Sequence, residues 1–495
     1  MFPHSSAIWF RVSVLLTILI GCNAQPPVPE QAEKPLVQPP EVPALDPVHI
    51  GEERLRSPLL ETLRQQIERT ETEETREVTE PLTKQLVSAD AIMSDARRRN
   101  RTAIQQANRQ VRMGAARQSP NFIIITVDRL GIGDLGCYGQ SKWETPALDK
   151  VASEGLRFTQ YYSELSPNAS LSALFTGHFE STPNSPVSSS ASRMTSHLPR
   201  VLWNAGYKTA LIGEWSENLH PNNLGYEESS GWNVNPPEFP DWALLNGKRI
   251  TLENNSSGQH QVSQNDFLIS ETRSFLREAR GRVNQFYLHL SVRALNGINA
   301  LPTTPEEYSV RIRQVDSLVG RITEAVDELG LANRTCLLIL ALAGPDPKSK
   351  ELTGKTRSTG EFSHSTSGLN EGNLRVPFLV RWPEHITPGT TSDEAIGPWD
   401  ILPTLAQLAS VSRPIGRVDG QSLAGLWQKM LPLKERPIVW MSPDGKVLAA
   451  RDRNWKLISD GEKRHQLYDL SSDPTESRDV SAEHPEVLQR VIKTR

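Results

Sequence analysis

The sequence predicts an α/β fold, with a large, mostly parallel β-sheet covered by helices on both faces and a small C-terminal α+β subdomain. Uninterrupted apolar runs, as at 122–127 and 336–341, are typical of strands that are buried on both faces of a sheet. Amphipathic segments of helical period alternate with these runs, as expected for a parallel sheet with helical crossovers. The first run ends in an acid and a glycine-rich turn at 128–139, and open α/β sheets hold their sites at such carboxyl ends.

Start and stop signals define the helices between the strands. Helices are predicted to begin after the N-capping residues Thr145 and Thr304, because a proline follows each of them at the first helical position. Glycines end the predicted helices at Gly155, Gly206 and Gly330. The predicted strands that follow the first one are 207–212, 285–292, 336–341 and 376–380.

The first residues have the composition of an export signal. Arg11 precedes a nine-residue apolar run at 12–20, which is too short to cross a bilayer but suits a secretory signal. The run ends in Leu-Ile-Gly-Cys22, which resembles a bacterial lipobox and implies a signal peptide at 1–21 with lipidation of Cys22. We therefore predict an exported periplasmic or cell-surface lipoprotein, anchored to the membrane of the cell envelope through Cys22. An ordinary cleavage near Ala24, or an uncleaved anchor, is the alternative.

Two further segments precede the α/β region. Residues 22–48 are proline-rich and predict an extended tether, whereas residues 49–118 are charged and predict a partly helical stalk. Seven arginines and no acidic residue lie at 97–117, which favours a sulfated or other anionic polysaccharide, or anionic headgroups, as a partner. A solvated stalk without a specific partner is the alternative. The net charge of −4 argues against a nucleic-acid binder, and three cysteines cannot form a disulfide framework.

Several motifs after residue 118 carry a family resemblance. The opening at 121–139 and the Leu-Phe-Thr-Gly turn at 174–177 resemble the sulfatase family of the alkaline-phosphatase-like superfamily. Later segments that are similar to scaffold motifs of this family lie at 371–383, 399–405, 419–423, 454–457, 467–470, 473–474 and 484–486. The resemblance implies a sulfatase-like α/β domain at 119–410 and a C-terminal subdomain at 411–495.

The position of the family's nucleophile holds a proline. The resemblance implies a cysteine or serine within Cys/Ser-x-Pro-x-Arg, shortly before the Leu-x-Thr-Gly turn. Counted back without a gap, the nucleophile, proline and arginine positions are held by Pro167, Ala169 and Leu171. Proline has no nucleophilic side chain. A slip of one residue brings Ser166 into place without restoring the proline or the arginine, and the nearby Ser170 and Ser172 have no assigned base.

The other site positions that the resemblance implies are also substituted. The family's lysine and histidine positions are held by Glu214, Ser216, Asn296 and Thr366. Of the four side-chain metal ligands only Asp128 remains, since Arg129, Leu342 and Ala343 hold the other three positions. The family would use Ca²⁺, which takes six to eight oxygen ligands, so the sequence predicts that no such cofactor is retained. Arg129 is expected to pair with Asp128 instead.

These substitutions leave two hypotheses about function. The first is a pseudoenzyme in the cell envelope that acts as a binding or assembly module, with anionic glycans among its partners. The alternative is an active, arylsulfatase-like hydrolase of sulfuric or phosphoric esters with a rebuilt site. Candidate acids, bases or ligands for such a site are His260, His289, His364, Glu214 and Glu361, although no pair has the spacing of a known dyad or metal site. His289 falls in mid-strand and is predicted to lie in the core or on a sheet face, so His364, in a loop rich in Ser, Thr and Gly, is the best of this set.

Overall fold

A computed structural model gives the positions of residues 119–179, 197–215, 220–233, 235–258, 260–282, 284–293, 302–411, 416–442, 448–459 and 464–493. The predicted signal peptide with Cys22, the tether and the stalk with its basic segment 97–117 lie outside these described residues. Ser216 and Asn296 also lie outside them. Within the described ranges, no helix is long and apolar enough to cross a membrane.

The strands of the described residues follow the predicted order along the chain, with additions. They are β1 (Asn121–Val127), β2 (Leu156–Phe158), β3 (Lys208–Glu214), β4 (Glu228–Trp232), β5 (Trp242–Leu245), β6 (Lys248–Thr251), β7 (Phe286–Val292), β8 (Thr335–Ala341), β9 (Phe378–Arg381), β10 (Thr390–Ser392), β11 (Ile438–Met441), β12 (Leu448–Asp452), β13 (Trp455–Ser459) and β14 (His465–Asp469).

Most of these strands form one large sheet with a parallel centre. Within the described part of the chain, ten strands pair in the order β10-β2-β9-β8-β1-β7-β3-β4-β5-β6. Strands β8, β1, β7, β3 and β4 run parallel, whereas β9 is antiparallel to both β8 and β2, and the β5–β6 hairpin is antiparallel to β4. Every residue of β1 and of β8 is buried, which explains why their sequences are almost entirely apolar.

Helices pack in two groups against this sheet. They are α1 (Pro146–Ser153), α2 (Pro167–Thr176), α3 (Leu198–Ala205), α4 (Pro221–Leu224), α5 (Gln264–Arg280), α6 (Pro305–Glu328), α7 (Lys350–Thr356), α8 (Glu371–Leu374), α9 (Ile401–Leu408), α10 (Ala424–Lys429) and α11 (Pro485–Ile492). Helices α1, α5 and α7 each contact α6, and α2, α3, α9 and α10 form the second group, whereas α11 packs against β12 and β13. The predicted fold class, a mostly parallel sheet covered by helices, is confirmed.

The local signals place several element ends correctly. The Thr304 hydroxyl accepts a hydrogen bond from the Glu307 N–H at 3.2 Å and begins α6, and Gly206 ends α3 with φ of 101°. Strand β9 begins at Phe378 rather than at residue 376, because Pro377 has no N–H for the ladder. Strands β4 to β6 have only four or five residues each, and β4 and β6 are mostly polar, so the periodicity did not predict them.

The C-terminal subdomain is a separate antiparallel sheet in the order β11-β12-β13-β14, against which α11 packs. Strand β13 carries Lys456, whose Nζ lies 2.8 Å from Glu371 Oε1 and 2.7 Å from Glu476 Oε1. All three side chains are completely buried. We call these residues the Lys456 cluster, and it joins the C-terminal sheet to α8 of the main domain.

Candidate functional site

The candidate site lies at the carboxyl ends of the four adjacent strands β8, β1, β7 and β3. Val127 is in register with Ala341 and with Val292, and Gly213 is in register with Ser291. The residues that follow these strands therefore form a row across one edge of the sheet. In the order of the strands the row is Leu342, Asp128, Arg293 and Glu214, the last of which ends β3.

Asp128 and Arg129 diverge at the end of β1. The Asp128 N–H donates to the Val292 carbonyl at 3.1 Å and so continues the pairing of β1 with β7. The Arg129 side chain turns toward β8, where Nη1 donates to the Gly344 carbonyl at 3.1 Å. This bond from Nη1 bridges the ends of β1 and β8, and the expected ion pair between Arg129 and Asp128 stays a prediction.

Leu342 and Ala343 present methyl groups at the end of β8. Their exposed fractions are 5% and 3%, so their side chains belong to the core. Their backbone stays bonded to the neighbouring strand, since the Leu342 N–H donates to the Val127 carbonyl at 2.8 Å and the Ala343 carbonyl accepts from the Leu130 N–H at 3.0 Å. The backbone is thus well ordered by its hydrogen bonds, while the side chains offer no oxygen ligand.

Glu214 forms an ion pair with Arg293, which follows β7. Arg293 Nη2 lies 2.6 Å from Glu214 Oε2, and the Glu214 side chain is only 10% exposed. The pKa of Glu214 is raised to about 7, mainly by burial. The nearby Arg293 guanidinium lowers this pKa, and the Asp128 carboxylate raises it further. Glu214, at the position where the resemblance implies a lysine, is thus a buried carboxyl group. The positive charge beside it belongs to Arg293, which follows β7.

Pro167 occupies the first position of helix α2, where its missing N–H costs nothing. Ser166 is the N-cap of this helix, and its hydroxyl accepts from the Ala169 N–H at 3.2 Å. Ser170 is completely buried, and its hydroxyl accepts from the Glu164 N–H at 2.8 Å. These contacts give Ser166 and Ser170 structural roles at the start of α2.

The loop before α8 places Thr366 on the surface and His364 in a half-buried position. Burial and the charge of Lys350 lower the pKa of His364, and the backbone and carboxylate of Asp346 oppose that shift. No residue of the described ranges has hydrogen-bond geometry to either ring nitrogen of His364. His364 thus lies near Asp346 and Lys350 in the segment that follows β8, and Thr366 is exposed.

The remaining candidate acids and bases are dispersed. His289 lies in the core, where its ring nitrogens bond to the Thr126 hydroxyl at 2.9 Å and the Tyr226 hydroxyl at 2.8 Å, and its predicted core position is confirmed. His260 stacks on Phe239 with ring centroids 5.1 Å apart. Glu361 is exposed. The structure does not bring these three residues together with Glu214.

Sequence reasoning missed a buried carboxyl group below the site. Asp134 Oδ2 accepts from the Tyr308 hydroxyl at 2.8 Å, the Ser358 hydroxyl at 2.9 Å and the Gly131 N–H at 2.6 Å. Burial raises the pKa of Asp134 to about 7, which these hydrogen bonds oppose. Arg293 was missed as well, although its place directly after a buried strand is the signal that singled out Asp128.

The residues at the sheet edge do not fit a hard dication. Ca²⁺ takes six to eight oxygens, several of them from carboxylates. Beside Asp128 the edge offers a guanidinium bonded to Gly344 and the methyl groups of Leu342 and Ala343. In the described ranges, no group of three or more His, Cys, Asp or Glu residues has the arrangement of a metal site.

Comparison with known proteins identifies the family. The sulfatase family model matches residues 120–411. The chain belongs to the sulfatase family. A second family model, described as N-sulphoglucosamine sulphohydrolase, C-terminal, matches residues 368–494 of this sulfatase-family chain.

Individual relatives in the sulfatase family are similar over most of the described region. The chain is 28% identical to N-acetylgalactosamine-6-sulfatase of Rattus norvegicus over 351 residues, which cover 62% of this chain and 66% of the relative. It is 29% identical to arylsulfatase A of Homo sapiens over 350 residues, which cover 63% of this chain and 68% of the relative. The chain therefore spans about two thirds of the length of these curated relatives. The solved structure of the PsFucS1 sulfatase from Pseudoalteromonas sp. has the same fold, with a TM-score of 0.64, 20% identity and coverage of 80% of this chain and 92% of that chain.

Proposed function

We propose that this member of the sulfatase family binds its ligand without hydrolysing it and acts as a binding or assembly module. Sulfate-ester hydrolysis needs a nucleophile, a cation for the sulfate oxygens and an acid for the leaving oxygen. Pro167, Leu342 and Ala343, which hold positions of this chemistry in the resemblance, have side chains with no nucleophile, acid or oxygen ligand. The observation that carries it is the contact between Arg129 and Gly344, because a fixed guanidinium lies where the resemblance implies a carboxylate ligand.

The first test is the metal content of the full chain after gel filtration in buffer that contains Ca²⁺. We expect no stoichiometric Ca²⁺, because Asp128 is the one carboxylate at a position where the resemblance implies a metal ligand, and the side chains of Arg129, Leu342 and Ala343 supply no oxygen. The matched control is the variant Arg129→Asp/Leu342→Asp/Ala343→Asn, which we expect to gain Ca²⁺ because the backbone at these positions is held by the sheet. About one tightly bound ion in the natural chain contradicts the proposal.

The second test is hydrolysis of an aryl sulfate in the presence of Ca²⁺. We expect the natural chain and Asp128→Ala to release sulfate at the same background rate, since Asp128 alone cannot hold the cation. A measurable rate in the natural chain that Asp128→Ala abolishes establishes the alternative, an ester hydrolase with a rebuilt site. The Ser166 and Ser170 hydroxyls are the first nucleophile candidates to replace by alanine in that case, because both lie at the start of α2.

We also propose roles for the N-terminal segments, as a membrane anchor and as a contact for anionic polysaccharide. An envelope lipoprotein lipidated at Cys22 would carry the domain on the proline-rich tether, and the basic segment 97–117 would contact an anionic polysaccharide. We expect a form of the chain that starts at Gly51 to bind heparin more tightly than one that starts at Ser119, with the difference falling steeply as salt rises. Equal, salt-insensitive binding of the two forms eliminates this role for the basic segment.

A further inference from the structure

An arginine lies between two acidic positions at the carboxyl edge of the sheet. Strand β7 is the neighbour of both β1 and β3. Asp128 follows β1, Arg293 follows β7, and Glu214 is the last residue of β3. The Asp128 N–H donates at 3.1 Å to the carbonyl of Val292, which directly precedes Arg293. The order of the strands therefore brings one positive and two negative side chains to neighbouring strand ends.

The Glu214 carboxylate has the Arg293 guanidinium as its counter-charge. Arg293 Nη2 lies 2.6 Å from Glu214 Oε2, and the two side chains are 33% and 10% exposed. Apart from this contact, neither carboxylate oxygen of Glu214 has a hydrogen-bond partner within the described ranges. A carboxylate that is nine-tenths buried is costly to keep ionised unless a cation lies beside it. Glu214 therefore depends on Arg293 for its negative charge.

Asp128 adds a second negative charge close to Glu214. Its carboxylate is near enough to raise the pKa of Glu214, whereas the Arg293 guanidinium lowers that pKa. Two carboxylates in a partly buried place repel each other unless a positive charge offsets them. The resemblance implies Ca²⁺ for this edge, but the side chains at the other three ligand positions supply no oxygen. The two carboxylates thus need a positive charge that the family's ligand set no longer holds.

We propose that Arg293 is the internal counter-ion of this edge, and that its guanidinium supplies the positive charge that the resemblance assigns to Ca²⁺. An arginine stays protonated at physiological pH, so this charge is present without any metal. Together with Arg129, the formal charges of the two guanidiniums equal those of the Asp128 and Glu214 carboxylates. This inference deepens the proposed function and rests on it, because it applies to a chain that retains no dication.

Removal of Arg293 should open a cation site between the two carboxylates. The test is thermal unfolding of the full chain and of Arg293→Gln, in about 10 mM Ca²⁺ or in K⁺ at the same ionic strength. In K⁺ we expect the variant to unfold about 2–4 °C below the natural chain, because both carboxylates lose their counter-charge. We expect Ca²⁺ to restore most of this loss in the variant and to leave the natural chain unchanged.

Three further variants separate charge from packing. Arg293→Lys keeps the positive charge and should unfold near the natural midpoint without Ca²⁺. Arg293→Gln/Glu214→Gln leaves only Asp128, so we expect a smaller loss than in Arg293→Gln and no response to Ca²⁺. The matched control is Arg273→Gln, because the Arg273 side chain is similarly exposed at 30%, but its partner Glu328 is 58% exposed. We expect neither a loss of stability nor a response to Ca²⁺ in this control.

Three results overturn the inference: a natural midpoint for Arg293→Gln, a loss that Ca²⁺ does not restore, or an equal loss in Arg293→Lys. If Arg293→Gln does not fold in K⁺, recovery of folding in Ca²⁺ or in the double variant supports the inference, and recovery in neither overturns it. Ca²⁺ that raises the midpoint of the natural chain overturns the proposed function instead, because the edge then holds a metal ion while Arg293 is present. The two failures are therefore distinguishable.

Discussion

Replacing Lys456 with methionine is expected to lower the free energy of unfolding by about 3–5 kcal/mol, the range found when one partner of a buried ion pair is removed. Lys456 is the shared cation of Glu371 and Glu476, and all three side chains are completely buried. Methionine has a similar length but no charge, so the carboxylates of Glu371 and Glu476 would stay buried without the positive charge of Lys456. Equilibrium unfolding in urea, followed by tryptophan fluorescence, measures the change.

The pKa of Glu371 explains why the loss should be large. Burial alone raises this pKa, but Lys456, Arg375 and Arg451 together hold it well below its usual range, so the folded state stabilises the ionised carboxylate. The matched control is Lys355→Met, which removes an exposed lysine that lies 2.6 Å from Glu351 and should leave stability unchanged. A loss below about 1 kcal/mol for Lys456→Met contradicts the prediction and means that Arg375 and Arg451 suffice as partners.

The second prediction concerns acid stability and His289. Burial lowers the pKa of His289 to about 3, whereas an unfolded histidine titrates near its ordinary value of about 6.5. As the pH falls below about 6.5, the unfolded chain binds a proton at this position and the folded chain does not, so the folded state loses about 1.4 kcal/mol per pH unit from this group. Between pH 6.5 and pH 4.5 the expected loss from His289 alone is therefore about 2–2.5 kcal/mol.

His289→Gln isolates this contribution. Glutamine retains a donor and an acceptor toward the Thr126 and Tyr226 hydroxyls but does not titrate, so we expect the variant to be less stable at pH 7.5 and the difference to narrow steadily as the pH falls to 4.5. The raised pKa values of Asp134 and Glu214 stabilise the folded state as the pH falls, which is opposite to the effect of His289. Both residues are present in both proteins, so their contribution cancels in the comparison. Parallel stability curves for the two proteins over this pH range contradict the assignment.

The helix ends and the central strands were predictable because their signals are local. Thr304 caps α6 through a hydroxyl and an N–H three residues apart, and Gly206 ends α3 through its own backbone conformation. The short, Ile-rich and Val-rich run of β1 ends in an acid and a glycine-rich turn, which predicted a strand buried on both faces, and all seven of its residues are buried. The hairpin of β5 and β6 escaped prediction because each strand has only four residues and β6 is mostly polar and exposed.

The candidate site was only partly predictable. Spacing relative to scaffold motifs gave the positions at which the resemblance implies site residues, namely Pro167, Glu214, Leu342 and Ala343. That these positions neither bind Ca²⁺ nor hydrolyse a sulfate ester stays a prediction for the metal and hydrolysis tests. The partners of the charged residues were not predictable, because Arg129 bonds to a residue 215 positions away in the sequence. The expected pair of Arg129 with its neighbour Asp128 stays a prediction, whereas the bond from Arg129 to Gly344 is formed only when the chain folds.

Consecutive residues predicted the fold class and the sheet edge that holds the candidate site, because buried apolar runs and the turns that follow them are local patterns. Which charges meet became visible only in the folded chain. Strand register brings Arg293 to Glu214, the turn after β8 gives Arg129 the carbonyl of Gly344, and docking of the C-terminal sheet buries Lys456 between Glu371 and Glu476. Each of these contacts joins distant segments, and their energies depend on burial and distance, which no local pattern of residues specifies.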